Sequence, residues 1–464
     1  MSSNSGSFRD PFGKVFTSDG KVFRSIFSPG VKTYEAAKMR GVYEHLIDKR
    51  LLISHEETQV DESAAEGAVY CLAHPCLPMV SYPWEWSFSM LKDAALLHLE
   101  AMEILVPRGF WLRDASAFNV QYDGKQLVLI DTLSIGKRTP DSPWVAYGQF
   151  CAHFLAPLAI AAYCDIRLLS LWRSYIEGFP LDLVVKMLPS IKKYRPGIFM
   201  HLKLHSAAQA SADKKEDITK IRSSEKIKVG DKGLIGIVSS LKRTIDRTNW
   251  KRRSAIWEDY GEIRTYDDPD VAMKSEYVEN VIRQLKPKMV WDLGANRGEF
   301  SLIAASHGAF VVSIDGDPAC SEALYEKIGG EKRITGILPL TMDLANPSPG
   351  LGWNSKERLS LSERGPADLV MALALIHHLV LSSCVPFDLI AEWFSTLGNS
   401  LLIEFVPPDD PMVKKLLQNR GDEHLPYSLN LFKRSFASFY DFEEEIILNN
   451  GRILFLCERS KNKI

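Results

Sequence analysis

The stretch Val290-Trp-Asp-Leu-Gly-Ala-Asn-Arg-Gly-Glu-Phe-Ser301 constrains this chain more than any other. A short apolar run ends in a turn carrying two glycines, and a helical pattern begins at once. Glycine takes left-handed backbone angles without a Cβ clash, so Gly294 and Gly298 let the chain reverse tightly and let a ligand approach the backbone. A strand, turn and helix in that order belong to an α/β fold, whose open parallel sheet binds ligands outside the carboxyl ends of its strands.

The residues around this stretch keep the same alternation. Apolar periodicity predicts a helix near 271–285, a strand at 289–293, a helix over 298–307 and a strand at 310–314. Next come a helix over 318–328, strands near 334–340 and 367–373, a helix over 386–397 and a strand at 400–405. Strands separated by helices imply a parallel sheet covered on both faces. The runs 443–448 and 451–458 flank Asn449-Asn450-Gly451 and read as a hairpin. The expected class is therefore α/β, with a C-terminal Rossmann-like, doubly wound sheet that ends in an antiparallel edge.

Two carboxylates bear on the ligand. Asp315 closes the next strand 21 positions after Gly294, the spacing at which an acidic side chain meets ribose hydroxyls, although aspartate also caps turns there. Asp292 precedes the turn. A dinucleotide site would want Gly-x-Gly-x-x-Gly and a helix N-terminus for its pyrophosphate, which a carboxylate at 292 would repel. A ligand with an ammonium group suits it better, and S-adenosylmethionine has one. A nicotinamide-dependent oxidoreductase is the weaker alternative.

Asp292, Gly294 and Gly298 match the Asp-x-Gly-x-x-x-Gly motif, and here the chain resembles the class I methyltransferases. The resemblance implies that Asp292, Gly294, Asn296 and Gly298 surround the methionine moiety, that Asp315 holds the ribose, and that Asp343 meets the adenine amino group. It also implies that the segment Asp368 to Leu379, with Leu373 and Ala374 at the strand exit, lines the methyl-transfer face. Methyl transfer needs mainly alignment of the acceptor and removal of a proton. His377 and His378, just beyond the fourth strand, and Glu404, at the end of the fifth, are the candidate bases.

The first half carries a second constellation. In Gly109-Phe-Trp-Leu-Arg-Asp-Ala-Ser-Ala-Phe-Asn-Val120, Asp114 and Asn119 stand five apart, and Asp131 follows an apolar strand twelve positions later. The same types can simply form turns around a hairpin. The spacing resembles the catalytic loop and metal-binding strand end of the protein-kinase-like superfamily, which implies an α+β domain, Asp114 as proton acceptor, Asn119 and Asp131 as magnesium ligands, and ATP. Upstream, residues 14–24 read as a hairpin, 34–51 as a helix and 84–105 as another. Departures from the pattern are Leu112 for the usual histidine, Thr132-Leu133 for Phe-Gly, and no Gly-x-Gly-x-x-Gly; Lys21 or Arg24 stands where a phosphate-pairing lysine would be. The order of the parts resembles a bacterial family of such fusions that includes nodulation-associated methyltransferases.

At 464 residues the chain is long enough for two or three domains. We expect a kinase-like domain over 1–206, a linker over 207–256 and a methyltransferase domain over 257–464. From Lys214 to Arg253 there are thirteen Lys or Arg against five Asp or Glu, which reads as a solvated hinge with one amphipathic helix near 234–245. The apolar run 150–164 contains His153 and Pro157 and is too short to span a bilayer, so it reads as a buried helix.

Seven cysteines without a Cys-x-x-Cys pair suggest neither zinc nor disulfides, and a polar N-terminus without a leader suggests the cytoplasm. A net charge of -2 and the lack of an RNA-binding motif point away from nucleic acid and toward a small-molecule or glycan acceptor. A nucleotide-controlled binding module without turnover is the other class of reading.

Overall fold

The computed structural model describes residues 2–3, 6–18, 20–59, 66–207, 228–252, 268–331, 333–418 and 426–460. The chain divides into two compact units, Met1–Lys251 with Gly352–Glu357, and Arg252–Leu351 with Arg358–Ile464.

Unit 1 opens with a five-stranded antiparallel sheet: β1 (Ser2–Ser3), β2 (Val15–Ser18), β3 (Lys21–Phe27), β4 (Glu56–Thr58) and β5 (Ala68–His74), in spatial order β1-β2-β3-β5-β4. The expected 14–24 hairpin is β2 and β3, with Ser18 opposite Lys21. Instead of one helix over 34–51 there are two, α1 (Ser28–Met39) and α2 (Val42–Asp48), because Gly41 turns left-handed between them at φ +60°. Helix α3 (Phe88–Leu105) starts later than expected. Pro83–Glu85 forms a 3-10 turn first, and Ser87 then caps α3 by accepting from the Met90 amide.

Beyond α3 lie two short ribbons, β6 (Phe110–Leu112) with β9 (Ile135–Lys137), and β7 (Val120–Tyr122) with β8 (Leu127–Leu129). The apolar run at 150–164 is helical and largely buried, as Tyr147–Phe150, a π-helical stretch Cys151–Leu155, and Ala156–Tyr163.

Part of the basic segment read as a hinge belongs to the core of this unit. Helix α4 (Asp231–Asp246) buries Leu234, Val238, Leu241 and Ile245, one stripe at helical spacing, and packs on α3. Lys92 of α3 donates to the Asp246 carbonyl, and Lys242 pairs with Glu103 at 3.1 Å. Lys232 and Arg243 of this segment stand on the exposed face of the docked helix. Residues 208–227 and 253–256 of the expected linker lie outside the described residues.

Unit 2 is doubly wound. Helix α5 (Asp268–Leu285) leads into β10 (Met289–Leu293), α6 (Glu299–Ser306), β11 (Phe310–Asp315), α7 (Pro318–Ile328) and β12 (Ile337–Thr341). The chain then crosses to β13 (Ala367–Ala372), α8 (Phe387–Leu397), β14 (Gly398–Phe405), α9 (Pro411–Gln418), α10 (Leu429–Phe436), β15 (Tyr440–Ile447) and β16 (Ile453–Arg459). The sheet order is β12-β11-β10-β13-β14-β16-β15, with β10 to β14 parallel and the final hairpin antiparallel.

Val290, Val311, Ile337, Leu369, Leu402 and Leu454 form its dry core. Each such side chain contributes about 1.5–3 kcal/mol on burial, which is why these strands read as continuous apolar runs. The chain winds from β10 toward β12 on one side, then restarts on the other with β13. That reversal opens a crevice at the carboxyl ends of β10 and β13, the place where open α/β sheets bind ligands.

Candidate active site

The crevice wall begins with the turn after β10. Gly294 takes φ +74° and Gly298 φ +76°, so both need the freedom that glycine has. At Gly298, which caps α6, a Cβ would come within 2.5 Å of Leu324. At Gly294 it would approach Leu375, beyond β13, to 3.2 Å. The amides of Gly294 and Ala295 both donate to the Ile314 carbonyl, pinning the turn to β11. Asp315 accepts from the Asn296 amide at 2.7 Å through one oxygen and from the Asp317 amide at 2.8 Å through the other. It therefore organises the turn it neighbours. Asn296 is itself left-handed at φ +49°, and its side-chain oxygen accepts from the Cys320 thiol.

Asp292 lies beneath the turn, 1% exposed, and accepts from the Ser301 hydroxyl at 2.6 Å. Burial pushes its carboxyl up to about 6, with Ser301 and Lys274 acting in the opposite sense. Asp343, exposed after β12, accepts from the Ala345 amide, which closes an Asx turn. Across the crevice Leu373 is buried, and Ala374 takes φ +52°, an uncommon geometry for a residue with a Cβ.

His377 and His378 follow, their rings 4.2 Å apart. Burial lowers the pKa of both, His378 to about 4 and His377 well below the ordinary imidazole value; the Arg452 cation adds to the effect at both and Lys274 at His377. His377 is buried with Nδ1 unpartnered, whereas His378 is half-exposed. Both are neutral imidazoles at pH 7.

Glu404 is fully buried and committed. Lys274 Nζ stands 2.5 Å from Oε2 and Arg452 3.5 Å from Oε1, while Arg452 Nε donates to Asp410 at 2.8 Å. Two cations and two carboxylates thus cancel in a dry cluster behind the histidines. Lys274 also lies 4.8 Å from the centre of the Phe300 ring. A carboxylate held this way stabilises charge and geometry, and it has little capacity left to accept a proton.

In unit 1, Asp114 accepts from the Ser116 amide at 3.0 Å and from the Gln149 side chain at 2.7 Å. Asn119 Nδ2 is buried without a partner. Asp131 accepts from the Leu133 amide and pairs at 2.9 Å with Arg24, whose same nitrogen meets Asp10 at 2.6 Å. Burial raises the Asp131 carboxyl, and Arg24 opposes the shift.

Arg24 is buried and Lys21 exposed, so the arginine is the cation that reaches Asp131. Among the described residues no group of three or more His, Cys, Asp or Glu is placed to hold a metal ion. As arranged, Asn119 and Asp131 do not fit the magnesium that the kinase-like pattern implies, because a guanidinium already supplies the positive charge.

No protein-family model matches the sequence. Nodulation protein NoeA of Rhizobium meliloti (strain 1021) is 32% identical over 466 residues, covering 98% of this chain and 96% of that protein. The chain belongs to the NoeA family. Among solved structures, the N-methyltransferase NodS from Bradyrhizobium japonicum WM9 is 11% identical, with 42% of this chain and 99% of that one covered and a TM-score of 0.32. The magnesium protoporphyrin IX methyltransferase from Synechocystis PCC 6803 with bound SAH is 16% identical over 44% of this chain and 94% of its own, at a TM-score of 0.32.

In this NoeA-family chain three residues of the crevice escape a reading of motifs: Lys274, Asp410 and Arg452. Lys274 leaves a faint signal, since it sits one turn before Tyr277, Val278, Val281 and Ile282 on the buried stripe of α5, a position where an unpaired cation is costly. Asp410 and Arg452 flank loops and leave none.

Proposed function

We propose that unit 2 binds S-adenosylmethionine in the crevice between β10 and β13 and transfers its methyl group to a small-molecule or glycan-type acceptor. The observation that carries this reading is Asp292, a buried carboxylate with a raised pKa beneath a left-handed glycine turn. Such a group favours a cationic ligand over a diphosphate. The bound cofactor would supply a methyl group already activated on a sulfonium. Asp292 and the turn of Gly294, Asn296 and Gly298 would then hold the methionine end, Asp315 the ribose and Asp343 the adenine side, with Leu373 and Ala374 lining the transfer face.

The chain's main contribution is alignment, with reacting atoms held about 3–3.5 Å apart and in line. With the cofactor bound, the acceptor would be held in line with its activated methyl group, and the acceptor's proton would leave at the mouth of the crevice. There His378 is the neutral imidazole placed to take it, while His377 behind it positions the ring. Glu404 serves through Lys274 and Arg452.

Support for a kinase-like reading of unit 1 is its order of sheet, long helix, Asp114 loop, β7–β8 hairpin and Asp131. We read it as a module that holds the acceptor, because the Arg24–Asp131 pair favours binding over phosphoryl transfer.

Calorimetric titration with S-adenosylhomocysteine and with NAD tests the cofactor. We expect binding of the first alone. Gly294→Val should lower that affinity by about 100-fold or more, roughly 2.7 kcal/mol, with the circular dichroism of the sheet retained. NAD binding, or undiminished affinity in the variant, would sink the reading.

A further inference from the structure

Unit 1 carries a surface that neither the crevice nor the Asp131 cluster uses. Between residues 190 and 204, Ile191 is 83% exposed, Tyr194 63%, Met200 53% and Leu204 51%. A single exposed apolar residue is ordinary, but four bulky ones within fifteen positions are unusual, and contacts among Tyr194, Phe199 and Lys203 draw part of this segment into one surface patch. Lys192, Lys193, Arg195 and Lys203 alternate with them, and no acidic residue occurs between Ser190 and Ala207.

The patch is built firmly. Ile198 and Leu202 are buried beneath it, and the Gly197 backbone lies so close to Thr244 of α4 that a Cβ would clash. His201 bridges inward to Ser240 at 2.9 Å and to Tyr147 at 2.8 Å. On the outer side Tyr194 stacks on Phe199 with centroids 5.9 Å apart, and the Lys203 ammonium stands 4.0 Å from the Tyr194 ring centre. Lys192 and Arg195 lie over the Tyr163 ring at 5.3 and 5.1 Å.

We propose that this face docks on an anionic phospholipid surface. Aliphatic and aromatic tips ringed by cations suit the boundary between headgroups and acyl chains, where the tips leave water and the cations meet lipid phosphates. The chemistry disfavours a second copy of the chain, because a symmetric pairing of the patch would set four cations against four. Contact of this kind is peripheral.

The test is co-sedimentation of the full chain with phosphatidylcholine vesicles, with and without phosphatidylglycerol. We expect pelleting with the mixed vesicles alone, weakening as salt is raised. Two double variants, Tyr194→Ser with Met200→Ser at exposed positions, and Lys192→Glu with Lys193→Glu at half-buried ones, should each cut partitioning about tenfold or more while circular dichroism shows the parent's helix content. Wild-type protein left in the supernatant of the mixed vesicles, or variants that pellet like the parent, would overturn the proposal. So would a dimer that Tyr194→Ser dissociates in protein that ignores both vesicle types.

Discussion

Each unit places a carboxylate at or near a strand end in a desolvated setting, Asp131 after β8 in unit 1 and Asp292 in β10 of unit 2, and the two meet opposite treatment. Arg24 stands 2.9 Å from Asp131 and 2.6 Å from Asp10, so the positive charge that a ligand might have brought is built into the protein. Asp292 accepts from the hydroxyl of Ser301 at 2.6 Å and from its amide, and among the described residues no cation forms a salt bridge with it. The cations nearest the crevice, Lys274 and Arg452, are spent on Glu404 and Asp410. A carboxylate neutralised from within is structural. One left without a salt-bridged cation gains most from a cationic ligand, and that difference is why we propose unit 2 as the half that engages one.

The comparison can be attacked where the charges balance. Lys274→Met should be the most damaging change, leaving Glu404 buried with only the longer contact to Arg452. Loss of one partner from a buried pair costs about 3–5 kcal/mol, so thermal melts should show unit 2 unfolding well below the parent. Adding Glu404→Leu to that variant should recover much of the loss. If the single variant melts normally, the cluster does not hold unit 2 together.

Arg24→Ala is the sharper test of unit 1. Its carboxylate partners are partly solvated, so the destabilisation should be smaller, about 1–3 kcal/mol. It would also free Asp131, and magnesium should then raise the melting temperature of the variant but not of the parent. Magnesium-dependent stabilisation of the parent would erase the contrast between the two units.

The smallest expected effect is on pH. Because burial raises the Asp292 carboxyl to about 6 in the free protein, the ligand-ready ionised form fills as pH rises through that value. Affinity for S-adenosylmethionine should therefore plateau above about pH 6 and fall by up to tenfold per unit below it. The sign for stability is the reverse. The raised pKa disfavours the ionised folded state, so unligated unit 2 gains from this group as pH drops from about 6 toward the ordinary carboxylate range. Calorimetry on the parent and on Asp292→Asn checks both, and a parent profile as flat as that of the variant would detach Asp292 from the ligand.

Much of unit 2 was legible because its signals are local. The strands at 289–293, 310–315 and 398–405, and the hairpin that closes the sheet, follow from apolar runs punctuated by glycine and asparagine. The helix over 34–51 was misread, since only the backbone shows Gly41 in a left-handed turn where a glycine inside a helix would also be tolerated. Within the basic stretch the amphipathic helix read near 234–245 is α4, and what the sequence leaves out is its partner: Leu234, Val238, Leu241 and Ile245 pack on a helix more than a hundred residues earlier.

Sequence alone determined where unit 2 turns after β10, which of its strands run through a dry interior, and that a carboxylate stands before the glycine turn, because each depends on neighbours within a dozen residues. The tertiary structure decided which charges meet. Lys274 reaches Glu404 across 130 positions and Arg24 reaches Asp131 across more than a hundred. Whether a carboxylate acts as a base, a ligand anchor or a strut depends on the cation beside it and the water excluded from around it, and only the folded chain brings these together.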